Sequence, residues 1–221
     1  MGTTLTDPRV AAALDRMYGE AEEQMAQLRG DKGADFARLA AATAQERADA
    51  MSDFYLPVTP DAGRLLYALV RAAKPATVVE FGMSLGISAV HLAAAVRDNG
   101  GGRVITTELS SAKVAAATET FVETGLDDVI TVLAGDALET LPSLEGSVDF
   151  VLLDGWKELY GPVLDLLEPR LSSGALVVAD NTSMPDLAPY LDRVRDPASG
   201  YVSVSFPVRG GDSMEISCRT G

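Results

Sequence analysis

The chain is poor in the residues that build disulfides, zinc sites and histidine-dependent active sites. Its 221 residues include one cysteine (Cys218), one histidine (His91) and one tryptophan (Trp156). A single cysteine excludes an internal disulfide framework, so we expect a protein of the reducing cytoplasm. One histidine and one cysteine also cannot supply the nitrogen and sulfur ligands that a zinc ion needs.

Positive charge and long apolar segments are scarce as well. The 18 lysine and arginine residues stand against 32 aspartate and glutamate residues, a formal net charge of −14. Nucleic acid and anionic membranes need an excess of positive charge, so neither is an expected partner. No run approaches the roughly 18 apolar residues of a membrane-spanning helix. The acidic balance suits a cationic ligand or a metal ion instead.

What is present is enough for one α/β domain with a large core, since 47% of the residues are hydrophobic. We predict a helical extension over residues 1–57 and a core over 58–221, together one domain. The extension and its junction carry predicted helices over 8–28, 34–50 and 61–73. From residue 76 strands alternate with helices, which is typical of a parallel sheet with crossover helices. The predicted strands are 77–80, 103–107, 129–133, 148–153, 175–179 and an antiparallel hairpin of 202–206 and 214–218.

An aromatic loop with Phe54 and Tyr55 lies between the extension and the core. It allows two interpretations, which are packing of the N-terminal helices onto the domain and a wall over a binding site.

The most informative stretch is TVVEFGMSLGIS, residues 77–88. A β-branched segment leads through Gly82 and Gly86 into an alanine-rich segment, which predicts a strand, a tight turn and a helix. Such a turn points free N–H groups at a carboxylate or phosphate. The glycine spacing fits the dinucleotide fingerprint GxGxxG poorly. The residues from Gly82 to Gly86 match two other patterns. One is the hydrolase elbow GxSxG, with Ser84 as the nucleophile. The other is a methyltransferase loop that wraps around the amino-acid end of S-adenosylmethionine.

The histidine content argues against the hydrolase. A nucleophile elbow needs a histidine base late in the chain. His91 instead follows Ser84 on the same predicted helix, roughly 10 Å farther along its axis.

An acidic residue stands at the end of five predicted strands: Glu80, Glu108, Asp136, Asp154 and Asp180. The carboxyl ends of parallel strands share one edge of a sheet, where ligands bind. Gathered like charges repel, which favours a cationic ligand or a metal ion at that edge. By position, Glu80 would face an ammonium group, Glu108 the ribose hydroxyls of a nucleotide, and Asp136 an adenine edge.

Asp154, Asp180 and Asn181 add two carboxylates and an amide oxygen from neighbouring strand ends. Such hard oxygen ligands suit Mg²⁺ rather than Zn²⁺.

Two sets of motifs resemble known proteins. EFGMSLGISAV (80–90) with ITTE (105–108) resembles the class I S-adenosylmethionine-dependent methyltransferases. LDGWKELY (153–160) with VADN (178–181) is similar to the catechol O-methyltransferase family. The likeness covers residues 58–218. It implies a Rossmann-like fold with a mostly parallel seven-stranded sheet. It also implies Mg²⁺-dependent methyl transfer to a hydroxyl of a small vicinal dihydroxy aromatic acceptor.

The resemblance assigns a role to each matching residue. Glu80, Gly82, Ser84 and Ser88 would hold the methionine end of the cofactor. Glu108 would bind the ribose and Trp156 would pack against the adenine, with Asp136 and Asp154 also on the cofactor side. Mg²⁺ would be held by Asp154, Asp180 and Asn181. Lys157 would be the general base, and Glu215 would hydrogen-bond the second hydroxyl of the acceptor.

Two departures leave questions open. Gly155 stands where mammalian members of the family have histidine, and residues 1–57 carry no motif of the family. The acceptor's identity therefore stays open, and a homodimer through the N-terminal helices is a further prediction. Two alternatives remain, which are a metal-independent methyltransferase of the same fold and a non-catalytic cofactor-binding protein. The presence of Asn181 beside Asp180 favours the metal-dependent enzyme over the metal-independent one. The joint presence of the cofactor-side acids, the metal-ligand set and Lys157 favours an enzyme over a non-catalytic protein.

Overall fold

The computed structural model describes residues 2–30, 42–208 and 211–221. The helix predicted over 34–50 is described only from Ala44 onward, because residues 31–41 lie outside the described residues. The α-helices are α1 (Pro8–Gly30), α2 (Ala44–Ala50), α3 (Pro60–Ala73), α4 (Ile87–Asn99), α5 (Ser111–Thr124), α6 (Ala137–Thr140), α7 (Tyr160–Leu167) and α8 (Ala188–Arg195). Short 3-10 turns lie at Thr4–Thr6, Leu141–Ser143, Lys157–Leu159, Glu168–Arg170, Pro185–Leu187 and Pro197–Ser199.

One sheet of seven strands runs through the described residues, in the order β3-β2-β1-β4-β5-β7-β6. The strands are β1 (Thr77–Phe81), β2 (Arg103–Glu108), β3 (Ile130–Ala134), β4 (Val148–Leu153), β5 (Leu171–Ala179), β6 (Tyr201–Pro207) and β7 (Ser213–Arg219). Strands β1 to β5 are parallel, whereas β7 runs antiparallel to β5 and β6 antiparallel to β7. The predicted Rossmann-like α/β fold with a C-terminal antiparallel hairpin is confirmed.

Strand β5 begins four residues before its predicted start. Its register against β4 shifts between the pairs Val148–Leu171 and Phe150–Leu176, so the extra residues form an irregular segment. Gly174 in that segment has φ +83°. Serine and glycine have weak strand propensity, so the sequence pattern could not show this extension.

Both faces of the parallel sheet are covered, which explains its continuous apolar strands. Successive residues of β1 and β4 point to opposite faces. Val78 and Phe150 join the core cluster with α1, α3 and α4, and Val79 and Val151 join the cluster with α7 and α8. The sheet is therefore a rigid central layer, and its carboxyl edge holds loops in fixed positions.

Helix α4 is buried along most of its length, between the sheet and α3. Close approach requires Gly63 on α3, since a Cβ atom there would lie 2.5 Å from His91 Nε2. The Tyr18 hydroxyl of α1 lies 3.3 Å from the same nitrogen. Burial lowers the pKa of His91 to about 4, so the ring is a neutral packing residue at neutral pH. It lies among the helices, and it is not placed to act on Ser84.

The N-terminal helix packs within the chain. Arg16 of α1 forms an ion pair with Glu123 of α5 at 2.7 Å. A homodimer through these helices stays a prediction. None of the helices in the part of the chain that the structure covers is long and apolar enough to cross a membrane.

Candidate active site

A cavity of about 460 Å³ opens at the carboxyl edge of the parallel strands. The predicted site residues that line it are Gly82, Ser84, Glu108, Asp136, Asp154, Trp156, Lys157, Asp180 and Asn181. Four of the five strand-end acids thus share one cavity. The remaining predicted residues, Glu80, Ser88 and Glu215, are buried and do not line it.

The turn after β1 is built for close backbone approach. Gly82 has φ +95°, and a Cβ atom there would lie 2.5 Å from the backbone nitrogen of Gly155. Gly155 is equally restricted, because a Cβ atom would lie 2.4 Å from the ring of Phe81. Glycine at position 155 is thus a packing requirement of this chain. The two glycines bring the ends of β1 and β4 together at the floor of the cavity.

Glu80 lies beneath this turn and is fully buried. Thr106 Oγ1 donates to its Oε2, and the Ser88 hydroxyl lowers the pKa of the carboxylate. Oε1 has no partner among the described residues. Burial raises the pKa of Glu80 to about 7, against the lowering effect of these two hydroxyls. A buried carboxylate oxygen without a donor is the group that an ammonium ion would complete.

Glu108 at the end of β2 is held by the backbone. The N–H of Ser84 donates to Oε2 at 2.8 Å, and the N–H of Ser110 donates to Oε1 at 2.8 Å. Ser84 itself has φ +50°, a left-handed conformation that is uncommon for serine. The carboxylate therefore stays in place at the cavity, with further acceptor capacity on each oxygen.

Lys113 is a cavity residue that sequence reasoning missed. It lies in the first turn of α5, only 4% exposed, and its Nζ donates to Ser84 Oγ at 3.0 Å. A lysine in the first turn of a helix normally faces solvent, so no sequence pattern marks it. Burial lowers the pKa of Lys113, and the charge of Glu108 raises it.

Asp136 follows β3 and lines the cavity. Its side chain accepts the N–H of Leu138 at 2.8 Å and caps α6. The residue is exposed, as expected of a solvated helix cap. The capping role suffices to explain this acid, and its contact with adenine stays a prediction.

At the other end of the cavity, Lys157 connects the strand ends of β4 and β5. Its Nζ lies 3.5 Å from Asp154 Oδ1 and donates to the hydroxyl of Tyr160 at 2.7 Å. That hydroxyl donates to the backbone carbonyl of Asp180 at 3.2 Å. Burial raises the pKa of Tyr160 far above its usual range, so it remains a neutral phenol. Tyr160 fixes the lysine amine and was not singled out from the sequence.

Asp154 and Asp180 stand at the ends of the neighbouring strands β4 and β5. Burial raises the pKa of both, and the charge of Asp180 raises that of Asp154 further, while Lys157 opposes the rise. One lysine thus partly offsets two acids, of which Asp180 is buried and Asp154 is half-buried. No group of three or more histidine, cysteine or acidic side chains in the described residues could hold a metal ion, so any metal here would also need the Asn181 amide.

The orientation of Asn181 fits that requirement. Its Nδ2 donates to Asp212 Oδ2 at 2.7 Å, so the amide nitrogen is engaged and its oxygen is available as a ligand. Asn181 has φ +56°, a conformation that asparagine tolerates better than most residues. Asp212, in the loop before β7, was not singled out from the sequence. Side-chain oxygens from Asp154, Asp180 and Asn181, together with the negative charge of the two carboxylates, match the ligand preference of Mg²⁺.

Trp156 lines the cavity with one face of its ring already covered. The Arg47 guanidinium of α2 lies 4.4 Å from the centre of the indole ring and also pairs with Glu158. Trp156 is followed by the 3-10 turn Lys157–Leu159 and then by α7, so it precedes the helix and faces the cavity. Packing of an adenine ring on it stays a prediction.

The N-terminal region supplies an apolar wall to the same cavity, formed by Met25, Ala44, Ala48, Met51, Tyr55, Leu56 and Pro57. Both interpretations of the aromatic loop hold for Tyr55. It lines the cavity, and its hydroxyl donates to Glu20 of α1 at 2.7 Å.

Glu215 is not brought to this site. It lies in β7 with 1% of its surface exposed, and its two oxygens accept from Arg195 of α8 at 2.8 and 2.6 Å. A carboxylate that a guanidinium holds at both oxygens is paired structurally. The proposed contact of Glu215 with an acceptor hydroxyl stays a prediction that this geometry does not support.

The fold, the glycine turn after β1 and the acid at the end of β2 are those of the class I methyltransferase fold. Residues 79–182 match a methyltransferase domain family. The chain is 31% identical to mouse catechol O-methyltransferase over 144 residues, which is 62% of this chain and 54% of that protein. It is 31% identical to the pig enzyme over 140 residues, which is 60% of this chain and 74% of that protein. It thus spans about half the length of the mouse relative.

Solved structures show the same architecture. An O-methyltransferase of Bacillus cereus, in complex with SAH (S-adenosylhomocysteine), superposes with a TM-score of 0.68 at 19% identity, covering 81% of this chain and 91% of that one. The chain belongs to the catechol O-methyltransferase-like family of class I S-adenosylmethionine-dependent methyltransferases.

Proposed function

We propose that the protein is an S-adenosylmethionine-dependent and Mg²⁺-dependent O-methyltransferase of catechol-type acceptors, acting in the cytoplasm. The observation that carries this proposal is one cavity with two chemically distinct ends. The nucleotide end has Glu108 and the glycine turn. The other end has Asp154, Asp180 and Asn181 beside Lys157.

The cofactor's methionine end would lie at the turn after β1. Its ammonium group would complete the hydrogen bonding of Glu80, whose Oε1 has no partner, with Ser88 and Ser84 nearby. Gly82 allows the positive φ that this turn needs. The ribose hydroxyls would donate to Glu108, and the adenine would lie between Trp156 and Asp136.

Asp154, Asp180 and the amide oxygen of Asn181 would hold Mg²⁺. When bound, the ion would act as a Lewis acid and a template for both hydroxyls of the acceptor. Asp212 would support this set by holding the Asn181 amide in the required orientation.

Lys157 would serve as the general base at Nζ. A phenol has a pKa near ~10, so the attacking hydroxyl is mostly protonated at neutral pH. Lys157 would take that proton, and the phenolate oxygen would then form a bond to the methyl carbon as the carbon–sulfur bond breaks. The Tyr160 hydroxyl holds the amine in place, which supports the positioning on which an in-line displacement depends.

The acceptor end is bounded by the apolar wall from the N-terminal region. Methionine side chains adapt their shape to flat ligands. We therefore favour a small aromatic acceptor over a charged or extended one.

The test is methyl transfer from S-adenosylmethionine to a panel of catechols, each matched with the monophenol that lacks the second hydroxyl. We expect turnover of catechols and at least about a hundredfold lower kcat/KM for monophenols, because one hydroxyl cannot chelate. Equal turnover of both groups would favour the metal-independent methyltransferase. Tight binding of S-adenosylhomocysteine without turnover of any acceptor would favour the non-catalytic cofactor-binding protein.

A further inference from the structure

Lys113 is the buried charged side chain of the cavity that the proposed mechanism does not use. Only 4% of the residue is exposed. Within the described residues its Nζ makes one hydrogen bond, to Ser84 Oγ at 3.0 Å, and forms no ion pair. An ammonium group has three donors, so two remain for a ligand in the cavity. Leaving them unmatched in a buried position would be costly.

Glu108, close to Lys113, has the complementary imbalance. Each carboxylate oxygen accepts one backbone N–H, from Ser84 or from Ser110. A carboxylate has about four acceptor sites, so acceptor capacity remains on the cavity side. Both groups contact Ser84, whose N–H donates to Glu108 Oε2 and whose Oγ accepts from Lys113 Nζ. The charge of Glu108 accordingly raises the pKa of Lys113, against the lowering effect of burial.

A vicinal diol matches this pair of groups. Each hydroxyl donates one proton and accepts at its oxygen. Two neighbouring hydroxyls can therefore donate to Glu108 while their oxygens accept from Lys113. Within the proposed function, the ribose of the cofactor brings such a diol to Glu108.

We infer that Lys113 is a second ribose-recognition residue. Its ammonium group donates hydrogen bonds to the oxygens of the two ribose hydroxyls, and the same hydroxyls donate hydrogen bonds to Glu108. The inference rests on the proposed function, because it places the nucleoside part of the cofactor at Glu108.

A purely structural role for Lys113 leads to a different expectation. Ser84 has a strained backbone with φ +50°, and Lys113 could do no more than hold its side chain. Loss of the lysine would then weaken all ligands of the cavity by the same factor. Recognition of the ribose would instead weaken only ligands that carry the hydroxyls.

The test compares adenosine with 2′,3′-dideoxyadenosine, which differ only in the two ribose hydroxyls. Trp156 is the single tryptophan and lines the cavity, so its fluorescence reports binding of either nucleoside. We expect the wild-type chain to prefer adenosine, and Lys113→Met to reduce that preference about tenfold. The matched control is Lys157→Met, which removes the other cavity lysine and should leave the preference unchanged.

The binding results distinguish a failure of the Lys113 inference from a failure of the proposed function. If Lys113→Met weakens the binding of both nucleosides equally, or leaves the preference for adenosine unchanged, the role of Lys113 is overturned. The proposed function still stands in that case if the wild-type chain binds S-adenosylhomocysteine. If the wild-type chain binds neither S-adenosylhomocysteine nor adenosine, the proposed function fails and this inference fails with it.

A measurement on the wild-type chain decides the matter if Lys113→Met does not fold. Nitrogen-15 NMR detects lysine ammonium groups whose hydrogen exchange is slow. We expect adenosine to slow the exchange of one such group and 2′,3′-dideoxyadenosine to leave it fast. The same exchange rate with both nucleosides would overturn the inference.

Discussion

At the nucleotide end of the cavity, Glu108 is held by two backbone N–H groups at 2.8 Å. At the acceptor end, Asp154 and Asp180 share one lysine, and burial raises the pKa of both. The first carboxylate is stabilised by the protein itself. The negative charge of Asp154 and Asp180 is only partly offset by the protein, through Lys157.

This difference indicates what each end is built to receive. A carboxylate already held by backbone N–H groups can accept hydrogen bonds from the hydroxyls of a neutral diol without a large electrostatic cost. Two buried acids that repel each other gain most from a divalent cation. Under the proposed function, the same edge of the sheet would bind the nucleotide at β1 to β3 and the metal ion at β4 and β5.

The largest expected effect separates the two ends directly. Asp180→Asn removes one charge of the metal set and keeps the shape of the side chain. We expect kcat to fall by about 10³-fold, because the metal would lose a carboxylate ligand, with the Kd for S-adenosylhomocysteine changed by less than about threefold. Steady-state kinetics and calorimetry measure the two quantities.

The control for this variant is Asp61→Asn, an exposed acid on α3 outside the cavity. It should leave both constants near the wild-type values. Wild-type kcat in Asp180→Asn would remove Asp180 from the proposed metal set.

The second prediction concerns Lys157. Lys157→Met should lower kcat by about 10²-fold, the usual size of a general-base contribution, with little change in cofactor affinity. Lys113→Met should show the opposite pattern, with a weaker Kd for the nucleoside and a smaller effect on kcat. If both variants change kcat and Kd alike, the division of the cavity into two ends is wrong.

The third prediction tests the floor of the nucleotide end. Gly82→Ala would place a Cβ atom 2.5 Å from the Gly155 nitrogen at φ +95°. We expect a loss of about 3 kcal/mol in the free energy of unfolding, from the clash and the strained φ together. Urea denaturation measures it.

Gly100→Ala is the matched comparison, since Gly100 has φ +83° with nothing within 4 Å of an added Cβ atom. It should cost about 1 kcal/mol, the effect of φ alone. Equal losses in the two variants would contradict the close approach of β1 and β4.

The smallest effect is a pH dependence of cofactor affinity. Burial raises the pKa of Glu80 to about 7 in the free protein. Below that pH an ammonium ligand must displace the proton of Glu80, so the Kd should fall by up to about tenfold per unit as pH rises, and level off above pH 7. Calorimetry between about pH 5.5 and 7.5 measures the trend.

Glu80→Gln carries no titratable group and should bind more weakly with no such trend. A steep dependence that persists in this variant would show that another group is responsible.

The sequence predicted the strand and the glycine turn at Gly82 well because their signals are local. Strand, glycine turn and terminal acid follow one another in residues 77–88, and Gly82 does lie where only glycine fits. The strand-end acids were also predictable, since parallel strands must end at one edge.

The supporting residues were not predictable, because they come together only in the folded chain. Lys113 of α5 reaches Ser84 in the turn after β1, and Asp212 reaches Asn181 from the loop before β7. Tyr160 was visible in the motif after Asp154, but its role as the partner of Lys157 depends on the fold. Glu215 shows the reverse case, because Arg195 lies in a segment without any motif and yet pairs with its carboxylate.

Restoration of turnover by Mg²⁺ after EDTA treatment, in the wild-type chain and in Asp180→Asn, is the measurement that tests the two-ended cavity most directly. We expect EDTA to abolish methyl transfer to a catechol in the wild-type chain, Mg²⁺ to restore it fully, and Asp180→Asn to need a much higher Mg²⁺ concentration. Turnover that persists in EDTA, with the same rate in both proteins, would contradict a metal site at Asp154, Asp180 and Asn181.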